Sequence, residues 1–217
     1  AIVIPVNWRL SADEVCFNLN DGSPKMVFAD QEYQSLIRGM KDKLPSVQSY
    51  CGLGPGGEGM TDFSSLLGNP EELKPAVVSS EDGFVIIHTA AVAGRPRGAL
   101  LSHGNMLLAN LHFDYLMNVT SRDVHLSGLP FFHVGGLFMA TAAFHAGALN
   151  INLNRFDAGK ALELVRQKSI SFMMVFSPIL ATLLEESQKK GVDVSCLRAV
   201  TGIDTPETIE KYQKTTG

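Results

Sequence analysis

Thr89, Gly94, Pro96, Arg97 and Gly98 lie in one short stretch, His88-Thr89-Ala90-Ala91-Val92-Ala93-Gly94-Arg95-Pro96-Arg97-Gly98, behind the apolar run 84–87. Ser102-His103-Gly104-Asn105 follows closely and reads as a capped helix start. A loop of small residues lets backbone N–H groups approach a ligand, and an arginine supplies a counter-charge, which together suit a phosphate. No Gly-Lys-Ser/Thr closes the stretch and Gly-x-Gly-x-x-Gly is absent, so it is neither a Walker loop nor a dinucleotide fingerprint. After Thr89 it carries no hydroxyl. On the residues alone two alternatives stand: a phosphate site, or a hairpin turn stiffened by Pro96. His133 is the second candidate. It either packs among Phe131, Phe132 and Leu137 or presents its ring to a ligand, with Gly135 and Gly136 letting a helix come close. His103, His112, His125 and His145 read as cap-adjacent, packing or surface residues.

Positioning such residues requires strands that end beside them. Apolar runs predict strands at 1–6, 25–29, 47–51, 83–88, 124–128, 148–153, 172–176 and 197–201, with 98–101 as hairpin partner to 83–88. Helices are predicted over 11–20, where Ser11 and Glu14 form a capping-box pattern, and over 32–43, 61–67 and 102–118. Further helices are expected at 134–144, rich in Gly and Ala and therefore buried, and at 158–168, 178–190 and 206–214. Pro178 and Pro206 suit a first helical turn. This alternation predicts an α/β fold of one or two parallel, doubly wound sheets flanked by helices. The glycine-rich segment 52–59 reads as a surface linker, and the polar connection 68–82 divides the chain into two α/β parts, about 1–82 and 83–217. Ligands sit at the carboxyl ends of such strands, which selects the loop after Ile87 and the turns 129–133, 176–178 and 201–204. All four are expected to open onto one edge.

Composition narrows the partners. The chain has 217 residues, a net charge of -4 and no run of Lys or Arg, which argues against a nucleic-acid partner. Cys16, Cys51 and Cys196 are odd in number and far apart, so they read as reduced thiols of a cytoplasmic protein rather than as a disulfide frame or zinc site. No run approaches the length of a membrane span, and the apolar residues 1–6 lack the basic flank of a signal peptide. The chain opens in mid-strand and stops just after a helix, the pattern expected of a piece of a larger domain.

The stretch at Thr89 resembles the phosphate-binding signature of the acyl-adenylate-forming (AMP-binding) family, which includes acyl-CoA synthetases. That signature reads T-S-G-T-T-G-x-P-K-G, followed by V-x-x-S-H-x-N. Thr89, Gly94, Pro96, Gly98, Ser102, His103 and Asn105 fall in its register, with Arg97 in place of lysine. Leu129-Pro130-Phe131-Phe132-His133-Val134-Gly135-Gly136-Leu137 resembles the family's L-P-x-F-H-x-x-G-L segment, and Pro5-Val6-Asn7-Trp8-Arg9-Leu10 its P-x-N-x-R-L opening. The Ser177-Pro178 turn and the segment from Leu197-Arg198 to Thr201-Gly202 fit as well. The resemblance thus spans essentially the whole chain and implies part of the large N-terminal domain of such an enzyme.

The implied reaction is a two-step ligation. A carboxylic acid is activated with ATP to an acyl-adenylate, and the acyl group then passes to a thiol, commonly coenzyme A. The resemblance implies that Thr89, Gly94, Pro96, Arg97 and Gly98 hold the phosphates with Mg²⁺ nearby. By the same match His133 faces the acyl carboxylate and Gly202 lines the adenine. No catalytic residue is assigned within the chain. The family's Tyr-Gly-x-Thr-Glu segment, ribose-binding aspartate and mobile C-terminal domain with its lysine have no counterpart in the sequence, so the 217 residues alone are expected to be inactive. Ala90, Ala91, Val92 and Ala93 occupy the positions of S-G-T-T, which removes three hydroxyl donors. Two readings therefore stay open: an AMP-forming acid–thiol ligase, and a degenerate relative that binds an acyl ligand or partner without adenylation. An unrelated α/β nucleotide-binding module is the third.

Overall fold

The computed structural model of the chain describes residues 1–55, 57–67, 76–90 and 94–217. They form two compact units, Ala1–Ser102 and His103–Gly217.

The first unit starts with local signals. Helix α1 (Ala12–Gly22) opens on a complete capping box: Glu14 Oε2 accepts from the Ser11 backbone N–H at 2.9 Å, and the Ser11 hydroxyl accepts from the Glu14 N–H at 3.4 Å. Strand β1 (Met26–Asp30) pairs in parallel with β2 (Ser49–Leu53), with helix α2 (Gln34–Arg38) between them, and β2 pairs in parallel with the short β3 (Thr61–Asp62). Val15, Leu19, Val27, Ala29, Ile37 and Met40 are buried together between helix and sheet. Strand β4 (Gly83–His88) then pairs antiparallel with β5 (Gly98–Ser102), as the apolar pattern of both runs leads one to expect.

Three expectations for this unit need correction. Residues 1–6 are not a strand: Val3 alone bridges Val85, through Val3 N–H to the Phe84 carbonyl at 3.0 Å and Ile86 N–H to the Val3 carbonyl at 2.9 Å. Pro5 has no N–H to continue the ladder. The single helix over 32–43 is three short pieces, a 3-10 turn at Gln31–Tyr33, α2, and another 3-10 turn at Lys41–Lys43. Its apolar residues still reach the core, because Ile37, Met40 and Leu44 need only a curved path past Gly39. The helix over 61–67 is instead the β3 bridge followed by a 3-10 turn (Phe63–Leu66), started where the Asp62 carboxylate accepts from the Ser64 N–H at 3.0 Å. Residues 68–75 of the polar connection lie outside the described residues.

The second unit is a four-stranded parallel sheet, order β7-β6-β8-β9, built from β6 (Val124–Ser127), β7 (Leu149–Asn152), β8 (Phe172–Phe176) and β9 (Ala199–Ile203). Helices α3 (His103–Met117) and α4 (Val134–His145) cover one face around Phe172, Met139 and Ala143. Helices α5 (Ala158–Lys168), α6 (Ile179–Lys190) and α7 (Pro206–Thr216) lie on the other, with α5 and α6 burying Leu126, Met173 and Val175 and α7 adding Tyr212. The caps again are local: Asp157 accepts from the Lys160 N–H at 2.7 Å to start α5, and Gly191 at φ +62° ends α6. Helix α4 is less buried than its composition predicts. Only Gly136, Met139, Ala142 and Ala143 are covered, while Val134 and Phe144 are 54% and 82% exposed. Its Gly and Ala content reflects close approach along one stripe, not burial all round.

Candidate functional site

The stretch expected to hold phosphate is a hairpin connection in the first unit. Its base is closed twice: the Thr89 N–H donates to the Arg97 carbonyl at 3.0 Å, and the Arg97 N–H donates to Thr89 Oγ1 at 3.3 Å. The Thr89 hydroxyl therefore keeps its own proton for another acceptor. Gly94 has φ +111° with open space around it, a backbone that favours glycine. Arg95 lies over the Phe17 ring at 5.4 Å, whereas Arg97 is exposed, with no ion pair among the described residues. Ala91, Val92 and Ala93 lie outside the described residues.

Gly98 has a structural reason of its own. A Cβ there would stand 2.8 Å from Ile86 Cγ2, 2.9 Å from Asp21 Oδ2 and 3.3 Å from His88 Nε2. Asp21, near the end of α1, is 3.1 Å from His88 Nε2, so glycine at 98 makes room for the contact that ties α1 to the hairpin. Gly98→Ala should cost about 1 kcal/mol, because only side-chain ends need to shift. A thermal melt would read it, and a larger loss would mean that the hairpin itself had moved.

The remaining three turns are brought together at the carboxyl edge of the second unit's sheet. From β6 the chain crosses to β7 on one side, then returns past β6 to β8 and β9 on the other. The reversal opens between β6 and β8, which pair only at His125–Phe172 and Leu126–Met173. Such a switch point is where open α/β sheets take their ligands. Its two lips are the 128–133 turn and the Ser177-Pro178 turn, which contains a cis peptide bond. The loop after Ile87 belongs to the other unit.

His133 stands at the N-cap position of α4, exposed, with its ring against Phe132 at 4.7 Å and no side-chain bond to the helix. Its ring nitrogens are thus not spent on capping, and the helix N-terminus beside them favours a negatively charged group. The turn is held tightly: a Cβ on Gly136 would collide with the Pro130 carbonyl oxygen and stand 2.8 Å from that of Leu129. A Cβ on Gly135 would meet Met174 Sδ of β8 at 3.2 Å. Across the gap, the Ser177 N–H donates to the Ile203 carbonyl at 2.9 Å, which joins the ends of β8 and β9. Gly202 sits there at φ +132°, where a Cβ would run into the Val175 carbonyl. On either side of it, Thr201 Oγ1 and Asp204 Oδ2 are buried without a hydrogen-bond partner. Buried polar atoms are normally paired, so two orphans at one strand end mark a place that a polar ligand can complete.

One polar cluster carries no signal in the sequence. At the opposite, amino edge of the sheet, Asp123 Oδ1 accepts from Ser171 Oγ at 2.7 Å and Arg198 Nε at 2.9 Å, while Oδ2 accepts from the Thr120 N–H at 2.8 Å. Arg198 also donates to the Met117 and Asn118 carbonyls at the end of α3. Burial pushes the Asp123 carboxyl up, but the bonds from Arg198, Ser171 and Thr120 outweigh it and hold the group at about 2. Ser171 and Arg198 are 48 and 75 residues from Asp123 along the chain, so no local spacing reveals them. His125, inside β6, is also structural. It stacks on Phe172 and its Nδ1 lies 2.7 Å from Asn150 Oδ1, while burial lowers its pKa and keeps it neutral.

The family follows from the whole length of the chain. A family model described as AMP-binding enzyme matches residues 1–216. The chain belongs to that family. Among curated relatives of this AMP-binding enzyme chain, a fatty acid–[acyl-carrier-protein] ligase of Streptomyces coeruleorubidus is 29% identical over 91% of the chain and 38% of its own length. An indoleacetate–CoA ligase of Aromatoleum aromaticum is 28% identical over 93% of the chain and 40% of its own length. A solved Rhodopseudomonas palustris structure, assigned as a long-chain-fatty-acid CoA ligase, superposes with a TM-score of 0.92 at 39% identity, over 99% of this chain and 53% of that one. The chain therefore spans about two fifths of the length of the curated relatives it matches. Among the described residues no helix is long and apolar enough to cross a membrane.

Proposed function

We propose that the whole protein carrying this chain is an AMP-forming acid–thiol ligase. A carboxylate oxygen attacks the α-phosphorus of ATP, the bond to the β-phosphate oxygen breaks, and pyrophosphate leaves. The sulfur of a thiol, for which coenzyme A is the proposed acceptor, then attacks the acyl carbon, the bond from that carbon to the phosphate oxygen breaks, and AMP leaves as the thiol proton is lost. Family membership supports this class, and the observation that supports the site is that His133, the Ser177-Pro178 turn and the two unpartnered atoms beside Gly202 all lie at the carboxyl edge of one parallel sheet. His133 would donate to the acid's carboxylate beside the α4 N-terminus, and Thr201 and Asp204 would meet polar edges of the adenylate. Thr89, Gly94, Pro96, Arg97 and Gly98 would hold the phosphates, with the Thr89 hydroxyl and the exposed Arg97 as donors. Mg²⁺ would arrive as the ATP chelate; the described residues offer no cluster of three His, Cys, Asp or Glu to hold it themselves.

The test is carboxylate-dependent ATP–pyrophosphate exchange. The 217-residue chain alone is expected to show none. For the whole protein, restoring the loop with Ala90→Ser, Ala91→Gly, Val92→Thr and Ala93→Thr should raise exchange by about tenfold or more, since each donor to a charged group is worth about 1.5–3 kcal/mol. Exchange that does not rise shows that the loop is not limiting. The loss of those hydroxyls also supports a second reading, a binder that no longer adenylates. Absence of exchange before and after restoration, with acyl-ligand binding retained, would select it.

A further inference from the structure

Within the Ala1–Ser102 unit, one helix reaches both limbs of the 89–98 stretch, which the proposed function makes the phosphate loop. Phe17 and Asp21 stand four residues apart on α1, and so on one face of it. That face is not the one that closes the core, where α1 buries Val15 and Leu19. Asp21 Oδ2 lies 3.1 Å from Nε2 of His88, the residue just before Thr89. The Phe17 ring lies 5.4 Å from the guanidinium carbon of Arg95, just before Pro96. The His88 side chain is only 7% exposed, so its contact with Asp21 is sheltered from water. Its two residues are 67 apart in the chain, and no local spacing creates it.

These contacts give the two arginines different work. Arg95 is held against an aromatic face. Arg97 is exposed, and its backbone N–H is fixed on Thr89 Oγ1 at 3.3 Å. Small residues bring a loop few contacts of their own, and a Cβ on Gly94 would have nothing within 4 Å. The limbs are set from outside, by α1 at His88 and at Arg95. A loop whose limbs are fixed before the nucleotide arrives needs less ordering on binding. Contacts that served stability alone would change the melting temperature and leave the affinity of the folded protein where it was.

We propose that Asp21 and Phe17 are positioning residues for the phosphate loop, acting through His88 and Arg95, and that Arg95 is a tether rather than a phosphate ligand. The whole protein and its variants are titrated with MgATP by calorimetry, and a thermal melt checks that each is folded. Asp21→Ala is expected to weaken MgATP binding about fivefold and Phe17→Leu about threefold. Each pair should be non-additive: His88→Ala adds no further loss to Asp21→Ala, and Arg95→Ala adds none to Phe17→Leu. Asp21→Asn, which offers both an acceptor and a donor to either His88 tautomer, should restore the parent's affinity. Folded variants that bind MgATP as the parent does overturn the proposal. So does a full Arg95→Ala loss on top of Phe17→Leu, which would put Arg95 on the phosphates. Should the variants at 21 and 88 fail to fold, the pair Phe17 and exposed Arg95 decides alone. A parent that does not bind MgATP overturns the phosphate-loop reading instead, and this inference with it.

Discussion

Replacing Gly202 with alanine is expected to destabilise the His103–Gly217 unit by about 3 kcal/mol or more, an effect that belongs to the backbone and not to a ligand. The residue sits at φ +132°, and an added Cβ would be 2.8 Å from the Val175 carbonyl carbon and closer still to its oxygen. That oxygen cannot swing aside, because β8 and β9 are paired through Val175–Gly202 and Phe176–Ile203. Relief requires parting two strands. Gly191 provides the control. It also has a positive φ, +62°, but nothing lies within 4 Å of its missing Cβ, so Gly191→Ala should cost only about 1 kcal/mol. Thermal or urea unfolding of both variants reads the difference. Similar losses at the two positions would show that the contact with Val175 does not exist.

Asp123→Ala should be comparably severe, about 3 kcal/mol, because it leaves the Arg198 guanidinium, the Ser171 hydroxyl and the Thr120 N–H without their shared acceptor. A pH series gives a second measure. The folded carboxyl lies at about 2 against an ordinary 3.8, so its contribution is present above the unfolded value and lost as pH falls through the folded one. The amount is about 2 kcal/mol, complete above about pH 4 and fading toward pH 2. Asp123→Asn should be less stable than the parent at neutral pH, and the gap between them should close over that acid window. A gap independent of pH would mean that Asp123 titrates normally and the brace is not formed.

The elements legible from the sequence are those whose causes are local. The capping pair Ser11 and Glu14 and the Pro206 start of α7 each act within a single turn, and each helix stands where they predict. The hairpin of β4 and β5 is equally local. Where sequence and structure part, a distant partner or a chain bend decided. The run 1–6 looks like a strand until Pro5 leaves only Val3 paired with Val85. The apolar spacing of 32–43 is helical, yet its residues reach their core through three short turns. Gly98 and Gly202 show the same limit at the candidate site. Both fit the family's pattern as ligand-facing glycines, and both are also required by packing that the pattern does not display.

By itself, then, the sequence determined the chemistry to look for. The stretch from Thr89 to Gly98 and the segment ending at His133 carry the family's signature, because a phosphate loop and a turn before a helix are written in consecutive residues. Only the tertiary structure decided that the β6–β8 gap is the switch point, whereas the turns 129–133, 176–178 and 201–204 are already selected by the strand pattern. The tertiary structure also decided that Asp123 is held by Ser171 and Arg198. The reason is physical: strand order and a shared carboxylate depend on pairings across tens of residues, and burial, not local spacing, selects among them.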